Sequence, residues 1–210
     1  MKKEIFTKQK IIHLLKLLSQ ELEKRELKGE ILIVGGSAMV IAFKARIATK
    51  DIDAIFEPKS KIHEISKKIA EDQDLPENWL NDAVKGFMSE KAEYNTFLDL
   101  PALKVYIPIP GYIFAMKAIS MRITPESSDI EDLKLLIRIV KIKTVEEGID
   151  IIKKYYPEKL IPQKTYYALD ELINTALVDN KGDKAKRETD SLNQKKLPAK
   201  NRENQNNSLN

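Results

Sequence analysis

The sequence predicts an α+β fold: a mixed sheet flanked by helices, a helical C-terminal part and a disordered tail. Three observations carry that prediction. Between residues 29 and 110, short apolar runs bounded by glycine, proline or aspartate alternate with helical patterns. From 111 to 177 the patterns are helical only. Beyond residue 181 the apolar anchors give out. Residues 1–110 accordingly read as an α/β core, 111–180 as a helical part packed on it, and 181–210 as the tail.

Each element has a local cause. Residues 8–26 set Ile11, Leu14, Leu15, Leu18 and Leu22 on one helical face, the pattern of an amphipathic helix. In "GEILIVGGS" an apolar run, Ile31 to Val34, stops at two glycines, as a buried strand entering a tight turn does. "SAMVIAFKA" is short, apolar and rich in helix formers, and predicts a helix starting at or near Ser37, a good N-cap type. "TKDIDAIFEP" reads as a second strand, closed by Pro58. Lys59 to Asp72 reads as a helix with Ile62, Ile65 and Ile69 on one side. "LPENWLNDAVKGFM" is mixed, with Trp79, Leu80 and Val84 able to pack. "YNTFLDL" and "LKVYIPIP" predict two strands joined across Pro101. Helices follow over 111–122, 129–142 and 145–155 and, after breaks at Pro157 and Pro162, over 163–177.

Composition narrows the class. A chain of 210 residues, 42% of them hydrophobic, suits one globular core with an appendage. It has no cysteine, which excludes a disulfide framework and any thiolate metal site. The N-terminus has a basic start but no signal-peptide core, and no run approaches the roughly 20 apolar residues of a membrane span. The expectation is a soluble, cytoplasmic protein. The net charge of +4 sits entirely in residues 181–210. Setting that segment aside leaves 28 Lys/Arg and 28 Asp/Glu in residues 1–180. Without aromatic residues, the segment cannot bury enough surface to offset its chain entropy. It can touch RNA weakly through phosphates, but a solvated tail is the simpler reading.

The candidate chemistry lies between residues 35 and 56. Asp51 and Asp53 stand two apart at the start of a strand, so they point to one face about 7 Å apart. Paired carboxylates repel unless a cation lies between them, and Mg²⁺ commonly takes one or two carboxylates plus phosphate oxygens. Alone, such a pair is more often simply solvated. The Gly35-Gly36-Ser37 junction between a strand and a helix leaves free N–H groups where a phosphate can approach, with the Ser37 hydroxyl as a further donor. Alone, it is equally a tight turn in which glycine serves backbone geometry. It is neither a Walker A loop nor a Gly-x-Gly-x-x-Gly turn. Together the halves suggest a triphosphate resting on the turn, with Mg²⁺ bridging it to the aspartates.

The order Gly-Gly-Ser, 13 residues, then Asp-Ile-Asp resembles the signature of polymerase-β-type nucleotidyltransferases. "RIATKDIDAIF" resembles more narrowly the AbiEii-like branch, which includes toxins of toxin–antitoxin and phage-defence systems and related uncharacterised bacterial nucleotidyltransferases. That branch often carries a Lys-containing helix, an Arg and an Asp-x-x-Asp-Leu helix start, matched here by Lys117, Arg122, Asp129 and Asp132 in "IFAMKAISMRITPESSDIEDLKLL". The resemblance covers roughly residues 30–140 and implies a nucleotidyltransferase-like mixed sheet. It implies Asp51 and Asp53 as ligands of one or two Mg²⁺ ions, and Gly35, Gly36 and Ser37 around the β/γ-phosphates. Lys117 would neutralise triphosphate charge, while Asp129 or Asp132 would position Lys117 or act as base. Arg46 and Thr49 are candidates to orient phosphate or carboxylate.

The residues themselves leave alternatives open. Lys117 lies in the otherwise apolar "GYIFAMKAISM", where a buried ammonium needs an anion, either phosphate or aspartate, unless its stem snorkels. Ser128 and Glu131 are spaced as a capping box, which by itself would explain an acidic first turn containing Asp129 and Asp132. The superfamily usually carries a third carboxylate on a later strand, and Asp99 in "NTFLDL" is the strand-like candidate. The expected function is transfer of a nucleoside monophosphate from an NTP to an acceptor hydroxyl on tRNA, another RNA or protein. A toxin role and an antitoxin partner on the helical part would accompany it. The rival expectation is a catalytically idle nucleotide- or partner-binding module of the same fold.

Overall fold

The computed structural model describes residues 5–122, 124 and 127–175; the tail read from 181–210 lies outside them. The element order is β1 (Phe6–Thr7), α1 (Lys8–Lys24), β2 (Gly29–Ile33), α2 (Gly35–Ile41), β3 (Ala48–Thr49), β4 (Ile52–Glu57), α3 (Lys59–Asp72) and β5 (Leu80–Asn81). A 3₁₀ turn (Ala83–Phe87) leads to β6 (Tyr94–Asp99), β7 (Leu103–Pro108), α4 (Pro110–Ser120), α5 (Asp129–Val140) and α6 (Val145–Tyr155). A second 3₁₀ turn (Glu158–Leu160) precedes α7, helical over 163–175. None of the helices is long and apolar enough to cross a membrane among the described residues.

The main sheet has the order β5-β4-β2-β7-β6. β2 runs antiparallel to β4 and parallel to β7; β4 and β5 are parallel, and β6 and β7 antiparallel. The fold is therefore α+β with a mixed sheet, as the sequence predicts. Ile31, Ile33, Ala54, Phe56, Leu103 and Val105 are all buried at alternate strand positions. α1 and α3 pack together beside this face and bring Leu15, Leu18, Leu22, Ile62 and Ile65 into the core. Burial of each such side chain stabilises the fold by about 1.5–3 kcal/mol. The C-terminal helices form their own layer, with α4 packed against α5 and α6.

Two small elements frame the cleft. β1 pairs antiparallel with β3, clasping the chain just before Asp51, and β5 lies beside the start of β4 with Asn81 opposite Asp53. Two-residue length hides both from a periodicity reading.

Candidate active site

The centre of the site is a crowded glycine turn. β2 ends at Ile33, and Gly35 opens α2 with a positive φ of +57°, a conformation that favours glycine. A Cβ at Gly35 would stand 2.5 Å from the Asp53 Oδ2, so the missing side chain also admits the carboxylate. A Cβ at Gly36 would stand 2.8 Å from the Thr49 Oγ1 and 3.3 Å from the Arg46 Nη2. The two glycines thus let Asp53, Thr49 and Arg46 close on the turn from β4 and from the segment before it.

Ser37 corrects the sequence reading. It is the third residue of α2 rather than its cap; Val34 occupies the N-cap. Its side chain is fully buried, and its hydroxyl donates to the Val34 carbonyl at 2.8 Å. It lines neither half of the cleft.

Asp53 sits in β4 and Asp51 in the bend before it, and both line a polar depression of about 600 Å³ with Gly36, Arg46, Thr49 and Lys117. Burial, and next the charge of Asp51, push the Asp53 carboxyl above its ordinary range. A hydrogen bond from Asn81, then the charges of Lys117 and Arg122, oppose this without cancelling it. This is a carboxylate whose surroundings favour an added positive charge. Asp51 and Asp53 suit a hard cation that completes its shell with phosphate oxygens and water. Among the described residues, no group of three or more His, Cys, Asp or Glu side chains converges as a metal site.

Lys117 finds its anions within the protein. Its buried ammonium lies 2.7 Å from Asp129 Oδ1 and 2.6 Å from Asp132 Oδ2. Arg46 reaches the same Asp132 oxygen at 2.5 Å, and Arg122 Nε stands 3.5 Å from Asp129. Burial pushes the Asp129 carboxyl up, but the hydrogen bond and charge of Lys117, followed by the Arg122 amide and the Ser127 hydroxyl, hold it down at about 2. This network ties α4, α5 and the α2–β3 connection together around the cleft. An ammonium has three donors; with two directed at aspartates, Lys117 still lines the cleft. Arg46 Nε is buried without a hydrogen-bond partner among the described residues.

The capping-box expectation fails. Ser128 makes no side-chain cap bond; the Asp129 amide donates to Ser127 Oγ at 3.1 Å, and Glu131 pairs with Lys134. Asp129 and Asp132 therefore bond Lys117 and Arg46 instead of merely decorating a cap. Asp99 also departs from its expected place. It is opposite Lys104 in β6–β7, at the end of the sheet where β2 begins with Gly29. The glycine turn lies past the other end of β2, about 17 Å along a strand of that length.

A second depression, about 360 Å³, shares Gly36, Asp53, Lys117, Arg122 and Asp129 with the polar one and continues over Val84, Phe87, Ile113 and Met116. Neither Asn81 nor Phe87 is singled out by the sequence reading. The one signal for Phe87 is an aromatic residue directly after a glycine in a short segment without helical or strand period.

A glycine turn against a strand carboxylate, beside a lysine held by two aspartates, is an arrangement suited to holding a phosphate group. The comparison with protein families agrees: residues 9–171 match the family described as "nucleotidyltransferase of unknown function (DUF6036)", and the chain belongs to it. No curated protein matches the sequence. Among solved structures, a similar one is an antigenic nucleotidyltransferase-like protein from Paracoccidioides brasiliensis, 13% identical, with a TM-score of 0.42 over 79% of this chain and 95% of that one.

Proposed function

We propose that the protein is a Mg²⁺-dependent nucleotidyltransferase that moves a nucleoside monophosphate from an NTP to an acceptor hydroxyl. The observation that carries this reading is Asp53: a half-buried carboxylate against Gly35, beside Asp51, with its pKa raised. The acceptor hydroxyl oxygen attacks the α-phosphorus and its proton passes to water, the bond from the α-phosphorus to the oxygen bridging it to the β-phosphate breaks, and pyrophosphate leaves. Arg122, Lys117 and the Gly36 backbone orient the triphosphate, and Asp129 and Asp132 hold the Lys117 ammonium in place. Asp51 and Asp53 would hold Mg²⁺, which when bound would supply charge neutralisation and a more acidic acceptor hydroxyl. Among the described residues the donor set suits one ion, because Asp129 and Asp132 are engaged with Lys117 and Arg46.

That engagement, with Asp99 at the far end of the sheet, also supports a second reading: an idle nucleotide-binding or partner-binding module of the same fold. Under the first reading RNA such as tRNA, or protein, is the acceptor. A toxin role follows if that acceptor is essential, as the AbiEii-like resemblance suggests, with an antitoxin on the C-terminal helices.

Calorimetry with NTP, with and without Mg²⁺, tests the site: affinity that collapses in EDTA supports both readings, and equal affinity contradicts both. Incubation with α-labelled NTP, total RNA and protein extract separates them. Label in a nuclease- or protease-sensitive polymer is expected of the enzyme, and binding without transfer of the idle module.

A further inference from the structure

Phe87 is an aromatic residue on an anchored backbone segment, with about half of its surface uncovered. Its side chain is 49% exposed in the wall of the smaller depression. The chain around it is strapped to the C-terminal helices. Tyr156 donates to the Phe87 carbonyl at 2.6 Å, the Ser89 amide to the Tyr112 hydroxyl at 3.0 Å, and Ser89 Oγ to the Tyr155 carbonyl at 2.5 Å. Tyr155 in turn donates to Glu93 at 2.9 Å. Such anchoring orders the backbone of the segment before any ligand arrives, which lowers the entropy a loop aromatic would lose on meeting one. Its neighbours in the wall are Val84, buried Ile113 and Met116, and Ser120.

We infer that Phe87 is the stacking platform for the nucleobase of the bound NTP, with Val84 and Met116 completing an apolar slot. This rests on the nucleotidyltransferase reading. Three observations support the assignment. The slot is continuous with the triphosphate half through Asp53, Lys117 and Arg122, so one ligand with a charged end and a flat apolar end spans both. Its volume of about 360 Å³ is in the range of small-molecule sites. Among the described residues, and apart from the charged groups shared with the polar half, Ser120 is the one polar side chain lining the slot, and its hydroxyl proton is given to the Met116 carbonyl at 2.8 Å, which leaves it an acceptor only. Stacking without edge readout tolerates every base, since each has a π-face. The site therefore accepts all four NTPs, with purines favoured by their larger face.

The test uses the full chain, Mg²⁺, each of the four NTPs and inorganic tripolyphosphate. Wild type is expected to bind every NTP about tenfold or more tighter than tripolyphosphate, the scale of one base–aromatic stack. Phe87→Ala removes most of that advantage for all four while leaving tripolyphosphate affinity unchanged, and Phe87→Tyr keeps it. Phe87→Trp adds a direct reporter, because the native Trp79 is buried away from the slot, bonded to the Ser66 carbonyl. Its emission is quenched by ATP and not by tripolyphosphate. NTP affinity unchanged in Phe87→Ala, or unquenched Trp emission at saturating ATP, overturns the assignment while the polar half still binds tripolyphosphate. Wild type that binds neither NTP nor tripolyphosphate overturns the nucleotide reading beneath it.

Discussion

At the scale of single residues, two charged groups of the cleft have opposite effects on stability. The Asp53 pKa is raised by burial and by Asp51, so the folded state holds its proton more tightly than the unfolded chain. Its ionisation opposes folding above the folded-state pKa, and the penalty disappears as pH falls through that value. Asp53→Asn keeps the shape and removes the charge, so the ligand-free variant is expected to melt a few degrees higher at neutral pH, with the gain lost in acid. Melting curves across pH check this. Asp129 behaves in reverse. Its pKa is held at about 2 against an ordinary 3.8, so its contribution is complete above the ordinary value and is lost as pH falls toward 2. The stability gap between wild type and Asp129→Asn should close over that interval in urea titrations. Lys117→Ala leaves two buried carboxylates without their shared ammonium. We expect a loss of about 3–5 kcal/mol by urea unfolding, the scale of breaking a buried ion pair. Stabilisation by that substitution would mean the pair is not formed in solution.

At the scale of elements, capping separates what sequence spacing conveys from what it does not. Thr144 accepts from the Glu147 amide at 3.2 Å, and Glu147 accepts from the Lys143 amide at 2.7 Å, so α6 has a bonded cap. Ser128 occupies the N-cap of α5 without a side-chain bond. Thr144→Ala is expected to cost about 1 kcal/mol and Ser128→Ala close to none; chemical denaturation of the two variants ranks them. The same contrast runs through the fold. Helices and strands with a continuous apolar stripe, α1, α3, β2, β4 and α4–α6, are legible to within a few residues because burial imposes the period. β1, β3, β5 and the Ala83–Phe87 turn are not, because two-residue pairings carry no period and depend on partners far along the chain. At the site, Asp51, Asp53, Lys117, Asp129 and Asp132 are legible as charges in places that demand a reason. The Arg46–Asp132 bond spans 86 positions and depends on how α5 docks. The Ser37 orientation depends on α2 starting two residues earlier than its sequence suggests. Neither is written in local spacing.

At the scale of the molecule, the cleft lies where the sheet end meets the C-terminal helices. Arg46 joins those layers through Asp132, Lys117 fastens α4 to α5 within the helical layer, and the tyrosine straps join the layers through the segment that carries Phe87. A ligand with a triphosphate and a base would touch both layers, so Mg²⁺ and NTP together should raise the melting temperature more than either alone. The most direct test of the account is transfer itself, followed with α-labelled NTP, Mg²⁺ and RNA or protein acceptors for wild type and for Asp53→Asn. Wild type is expected to place label in acceptor polymer, with a drop of about 10²-fold or more in the folded variant, the scale of losing one preorganised electrostatic group. Undiminished transfer by folded Asp53→Asn, or no transfer to any acceptor by wild type that binds NTP, would contradict it.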